Sequence, residues 1–402
     1  MKKSKKEESM DEKQAKALQE KRIKIFRDSC AFRKPERIGI VSMFQAWQIL
    51  DAGYKLSEAM TNYDLLEKIT REHVEKYNWD LMVNDGTRNP FLLYQALGST
   101  AYQFDDEADT INHVDNCCCT VDEIEELTAD FDAFMWNKGM THKYAKWDPS
   151  DANVEFIQNA LDKQNMHNAY RAKMQAAFRA DYGIPMFVAP RFAPSPVVEE
   201  IFSNILGIKG MSIAMRRYEA KFDALVDMLT ARNYTPFMNM FKALPPGKDM
   251  NACFDGGTTY LCQNSLSLKQ WDKYYWPYAK EAIDTCVEKD FTFSILPEGE
   301  VLRFADCFRD VPKGTLSFML ETDDCFEFRR QLPNCAIMGG MDNLVLNNAT
   351  KEECIDLAKR LIDELGRDGG YYMTQTKIGT YHADGKAENV KAVNEFILNY
   401  KI

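Results

Sequence analysis

The stretch FTFSILPEGE, residues 291–300, sets Phe291, Phe293 and Ile295 at alternate positions and breaks at Pro297 into Glu298, Gly299 and Glu300. Alternation at period two predicts a buried strand. Proline ends the pairing and glycine frees the backbone to turn. A strand that leaves the core straight into two carboxylates is either a solvated turn or the rim of an active site. The rest of the chain bears on which. Short apolar runs lie at Leu81–Asp85, Met186–Ala189, Ala252–Gly257, Thr315–Leu320, Ala336–Gly340 and Gly370–Gln375, and most of them end in, or lead straight into, polar residues or glycine. Helical patterns lie between several of them, at Pro196–Ala231, Lys269–Asp290 and Lys351–Gly366. Strand and helix in alternation predict an α/β fold with a parallel sheet. Acids and glycines placed just after strands are what the mouth of a βα barrel looks like. The expectation is one (βα)8 TIM-type barrel over residues 34–402. A charged, helix-prone extension, residues 1–33, is expected to pack outside it or stay disordered.

Composition agrees with an enzyme-sized globular chain: 402 residues, 45% apolar, with 24 Phe and 18 Tyr to fill a core. A net charge of −11 argues against nucleic acid or an anionic membrane as partner. No apolar run approaches the roughly 20 residues that span a bilayer. The lysines of MKKSKKEESMDEKQAK precede no apolar segment, so a cytoplasmic location is expected. Eleven cysteines without a CxxC pair fit reduced, buried small residues. Monomer and homodimer are both left open.

The common catalytic signatures are missing: GxGxxG after a strand, GxxxxGK[ST], HExxH and GxSxG. Of five histidines, His73 lies in a helical pattern with a structural or surface role. His113, His142 and His167 lie in polar stretches. His382 stands apart, in the loop KIGTYHADGKAEN after the apolar run GGYYMTQT.

Several stretches, taken in order, resemble the uroporphyrinogen decarboxylase superfamily. They are RKPERIGI (33–40), DAGYKLSEAMTNYDLLEKITREHVEKYNWDLMVNDG (51–86), SLKQWDKYYWPYAKEAID (267–284), CAIMGGMD (335–342), GGYYMTQT (369–376) and KAENVKAVNEF (386–396). The resemblance runs from about residue 20 to the end and implies a single βα barrel. Its porphyrinogen decarboxylases grip a polyanion with an arginine-rich loop, yet the matching SMFQAWQILDAGYK (42–55) contains no Arg. Asp85 falls where they keep an acid facing the pyrroles, but alone it cannot neutralise several carboxylates.

The superfamily's other branch, corrinoid-dependent zinc methyltransferases, carries His-x-Cys at a strand end and a late Cys. Here that pair falls on Leu296 and Glu298, and an ungapped alignment puts Gly379 at the Cys. The resemblance then implies a zinc held by Glu298, Glu321 (in FMLETDD) and His382, with Glu300 as a substitute or support for Glu298. Such an O, O, N set is harder than a thiolate set and suits an oxygen leaving group. The implied activity is cleavage of a methyl ether, an aryl O-methyl compound, with transfer of the methyl group to the cobalt(I) of a transiently bound corrinoid protein. Asp85, Glu298 and Glu321 are the expected catalytic residues. Asn84, Asp85 and Asp255 are the expected substrate-binding residues. A decarboxylase of a smaller carboxylated substrate and a non-catalytic corrinoid- or tetrapyrrole-binding barrel are the alternatives.

Overall fold

The computed structural model describes residues 10–402 except 88, 116, 152, 190 and 192. Its parallel strands fall where the apolar runs lie. β1 (Val41–Ser42) pairs with β2 (Leu81–Met82). The chain then inserts an antiparallel hairpin, β3 (Tyr102–Asp105) with β4 (Thr110–His113). β5 (Met186–Val188) pairs in parallel with β6 (Ala252–Phe254). A five-stranded parallel sheet follows in chain order: β7 (Gly256–Tyr260), β8 (Phe293–Pro297), β9 (Leu316–Met319), β10 (Ala336–Met341) and β11 (Tyr371–Gln375). Only Asp255 separates β6 from β7, the first pairing with β5 and the second with β8. β11 reaches the chain around β1 through parallel bridges Ile40–Met373 and Phe44–Gly379. Among the described residues no ladder joins β2 to β5. The observed architecture is therefore a mixed helix–strand fold built on a parallel array.

Three features depart from the sequence reading. The hairpin departs from it because its strands are only four residues long and no residue in them is fully buried, so even the alternation of Tyr102, Gln103, Phe104 and Asp105 spans too little chain to stand out. The pattern at 196–231 is not one helix; it breaks at Gly207, with φ +66°, where a Cβ would stand 2.4 Å from the Asp115 carboxylate. A helix of 29 residues, Val154–Tyr182, fills a stretch that carries no strand or helix expectation.

The extension of residues 1–33 is described only from residue 10 on; residues 1–9 lie outside the described residues. The helix Glu12–Cys30 starts on a capping box between Asp11 and Gln14 and does not stand apart from the array. Its Ile23, Phe26 and Cys30 are buried in one cluster with Val41, Leu81, Cys253, Ala336, Met338 and Tyr372. Arg22 meets Asp80 at 3.1 Å, and Arg27 meets Asp255 at 2.6 Å. Asp80 precedes β2, and Asp255 accepts from the Thr292 N–H just before β8. The helix thus closes the array at the N-terminal ends of its strands.

The eleven cysteines are all unpaired, nine of them buried. Burial pushes the Cys30 thiol up to about 11. His73 is buried too, ringed by Phe44, Trp47, Tyr77 and Trp79 at centroid distances of 4.9–6.0 Å, and accepts from the Trp79 indole at 3.0 Å. Burial, with a smaller push from Lys76, lowers its pKa from 6.5 to about 3. A depressed folded value means stability is intact above the unfolded value and falls as pH drops from 6.5 toward 3, by at most about 1.4 kcal/mol per pH unit. His73→Gln, which keeps an acceptor for Trp79, should flatten that slope in denaturant titrations. An unchanged slope would remove His73 from the account of acid sensitivity.

Candidate functional site at the strand C-termini

A cavity of about 500 Å³ opens where the parallel strands end. Gln45 follows β1, Asn89 follows β2, Thr259 and Leu261 come from the end of β7, Glu298 follows β8, and Ile378 and Thr380 follow β11. The lining also includes apolar and aromatic side chains, Met60, Phe91, Tyr102 and Ile111, the last two carried by the hairpin, with the Phe91 and Tyr102 rings 5.9 Å apart. A crevice outside the carboxyl ends of parallel strands is the usual place for a ligand in α/β proteins.

The Glu-Gly-Glu turn after β8 is pinned from both sides. The Glu298 N–H donates to the Tyr260 carbonyl at 2.8 Å. The Glu298 carbonyl accepts from Gln263 Nε2 at 2.8 Å and Asn264 Nδ2 at 3.0 Å. The next N–H, of Gly299, donates to Glu321 Oε2 at 2.8 Å. Val301 and Leu302 donate to Asp323 Oδ2 at 2.7 and 3.2 Å. Gly299 has φ +95°, and a Cβ there would fall 1.8 Å from Asn264 Nδ2, so the turn requires glycine. Glu298 is exposed and lines the cavity, while Glu300 is exposed and does not. Half-burial pushes the Glu321 carboxyl above its ordinary value, opposed by the Gly299 N–H and the Lys377 charge. Burial likewise raises Asp323.

Of the expected residues, Glu298 and Glu321 meet at this one turn, and His382 does not join them. Asp384 accepts from the Thr380 and Tyr381 N–H groups at 2.6 and 2.8 Å, fixing the loop. The His382 ring is exposed, with Nε2 3.1 Å from Asp109 Oδ2 on the hairpin turn. Among the described residues, no group of three or more His, Cys, Asp or Glu is arranged to hold a metal ion. Glu298, Glu321 and His382 therefore do not fit a zinc as they are placed.

Asp85 is fully buried and turned toward the long helix 154–182, accepting from Arg171 Nε at 3.0 Å while its carbonyl accepts from the Tyr170 hydroxyl at 2.5 Å. Asn84 donates to the Met43 carbonyl at 3.5 Å. One side-chain oxygen of each, Oδ1, is buried without a partner. Asp255 is a correction: it stands at the opposite end of the strands, where Arg27 takes both its oxygens, at 2.6 and 2.9 Å.

The sequence reading missed the hairpin wall and Glu199. Glu199 is 5% exposed and accepts from the Leu261 N–H at 2.9 Å, the Cys262 N–H at 3.3 Å and the Tyr275 hydroxyl at 2.6 Å. Burial raises its pKa, against these hydrogen bonds. Nothing in its local sequence, PVVEE, marks it for the interior.

No family model matches the chain, and no curated protein matches it. Among solved structures the chain is similar to a methyltransferase from Methanosarcina mazei, at 11% identity and a TM-score of 0.55, covering 93% of this chain and 97% of that one. At that identity the likeness is one of fold. No helix among the described residues is long and apolar enough to cross a membrane.

Proposed function

We propose that the parallel strands close into a single (βα)8 barrel and that the chain is a methyltransferase acting on a small methylated aromatic, an aryl methyl ether. The methyl acceptor is the cobalt(I) of a corrinoid carried by a separate protein. The observation that carries this reading is the mixed lining of the cavity. Met60, Phe91, Tyr102 and Ile111 offer apolar and aromatic surface to a flat ring, and Gln45, Asn89, Thr259 and Glu298 add polar groups to the same lining. The methyltransferase of similar fold supports the same class of reaction.

In the transfer, the acceptor's electron pair attacks the methyl carbon, the C–O bond breaks, and its electrons remain on oxygen. Glu298, the carboxyl in the cavity, gives the proton that converts the departing phenolate to a phenol. Glu321, holding the Gly299 N–H, fixes the turn beneath it. Asn84 and Asp85 start the loop that carries Asn89 to the cavity and act by holding it. The acceptor has to approach through the strand ends and leave again with its methyl group, so the complex is transient.

Zinc at Glu298, Glu321 and His382 would require His382 to leave Asp109, and no step of the proposal passes through it. The deciding experiment mixes the protein with reduced corrinoid proteins and a panel of methoxylated aromatics, with zinc added or chelated, and follows the cobalt spectrum. Growth of methyl-cobalt absorption with at least one donor is expected. If no methylated oxygen, nitrogen or sulfur compound reacts while a carboxylated pyrrole loses carbon dioxide, the decarboxylase reading replaces this one. Tetrapyrrole binding without turnover would favour a binding barrel.

A further inference from the structure

We propose that Glu199, a buried carboxyl outside the cavity, is the residue that positions Glu298, acting through the segment 260–264 that runs between them. The inference rests on the reading of Glu298 as a group that meets the substrate. Glu199 lies in the short helix Val197–Glu200, which runs on into a π turn at Ile201–Ile205. Its Oε1 accepts from the Leu261 N–H at 2.9 Å and the Tyr275 hydroxyl at 2.6 Å, and its two oxygens share the Cys262 N–H at 3.3 Å. Tyr275 is itself immobilised: it is fully buried, stacked on Trp271 at 4.4 Å and edge-on to Tyr260 at 5.1 Å. One carboxyl thus fixes where the chain goes after β7.

The same segment then holds Glu298 at both of its backbone polar groups. The Tyr260 carbonyl accepts the Glu298 N–H at 2.8 Å. Gln263 and Asn264 donate side-chain amides to the Glu298 carbonyl at 2.8 and 3.0 Å. Gln263 has no exposed surface, so its amide has no water to turn to if the segment shifts. Leu261, between the two sets of bonds, lines the cavity. A carboxyl taken out of water is costly unless its hydrogen bonds are met, and here they are met by the backbone that sets the Glu298 turn. The expected consequence of its loss is a displaced Glu298, and a displacement of about 1 Å can cost about 100-fold in rate.

Glu199→Ala and Glu199→Gln are compared with the unmodified chain by circular dichroism, by hydrogen exchange of the peptides covering 259–265 and 297–302, and by kcat and KM for methyl transfer. In Glu199→Ala both peptides should lose protection together while peptides of β10 and β11 keep theirs. There kcat should fall about 100-fold, with KM changed far less. Glu199→Gln, which retains an acceptor, should restore most of both. Loss of protection confined to 259–265 would overturn the inference, as would a KM effect with kcat unchanged. If Glu199→Ala fails to fold, Tyr275→Phe removes one of the three donors, and joint loosening of the two peptides is again the expected result. If the unmodified chain transfers no methyl group, the functional reading fails, and the exchange data still decide whether Glu199 sets the turn at Glu298.

Discussion

Arg27→Met should lower the unfolding free energy by about 3–5 kcal/mol at neutral pH, the range for removing one partner of a buried ion pair. The Arg27 guanidinium meets both Asp255 oxygens, at 2.6 and 2.9 Å, and donates to the carbonyls of Asp249 at 2.8 Å and Ala252 at 3.0 Å. Asp255 has no exposed surface, and it also accepts from the Thr292 and Asp249 N–H groups at 2.8 and 2.6 Å. Methionine replaces most of the stem's packing, so the deficit reports the stranded carboxylate rather than a cavity. Burial acts to raise the Asp255 pKa, and the hydrogen bond and charge of Arg27 outweigh it, holding the carboxyl below the ordinary range. A depressed folded value contributes stability above the unfolded value and loses it as pH falls through the folded one. In the variant burial is no longer opposed by Arg27, only by the Thr292 and Asp249 N–H groups, so the carboxyl is held down less strongly than in the unmodified chain. The deficit should therefore narrow as pH falls in urea titrations, because the variant takes up the proton first. A neutral-pH deficit below about 1 kcal/mol would mean that the pair behaves like an exposed one.

That ion pair marks where the sequence stops being legible. Strands such as Phe293–Pro297, Ala336–Met341 and Tyr371–Gln375 are buried along nearly their whole length, so an apolar run bounded by polar residues is enough to find them. The ends of β8 and β9 are enough to place Glu298 after one strand and Glu321 after the next, where Glu321 accepts from the Gly299 N–H. Which way an acid faces is a different matter. Asp255 reads like any acid at a strand end, and only a partner 228 residues away decides that it serves the other end of the array. His382 sits in the expected loop, but the bonds from Asp384 to the Thr380 and Tyr381 N–H groups turn that loop so that its ring meets the hairpin. The hairpin itself escapes because its strands run only four residues each and are at most partly covered, too short for the alternation of Tyr102 and Phe104 to mark a strand. Periodicity reports burial along a segment. It does not report which distant element provides the cover.

Glu298→Gln should reduce methyl transfer from an unactivated aryl methyl ether by about 10²–10⁴-fold, the usual contribution of a positioned general acid. The substitution is nearly isosteric, and the turn is held by backbone bonds, from the Glu298 N–H to Tyr260 at 2.8 Å and from Gln263 to its carbonyl at 2.8 Å, which glutamine keeps. Loss of rate would then come from the missing proton and not from a collapsed rim. The size of the loss should depend on the leaving group. An ordinary phenolate is basic and leaves poorly without protonation, so the variant should be most impaired on it. A phenolate made less basic by electron-withdrawing substituents needs the proton less, and the gap between variant and unmodified chain should close as leaving-group basicity falls. Glu321→Gln, which exchanges the charged acceptor of the Gly299 N–H for a weaker neutral one, should lower the rate modestly and without that graded dependence, because it acts on the geometry of the turn. The measurement is a series of ring-substituted donors run against both variants, with the logarithm of each rate ratio set against phenol acidity. A slope for Glu298→Gln and a flat line for Glu321→Gln are expected. A flat line for Glu298→Gln would take the proton-donor role away from it, whatever the overall loss of rate.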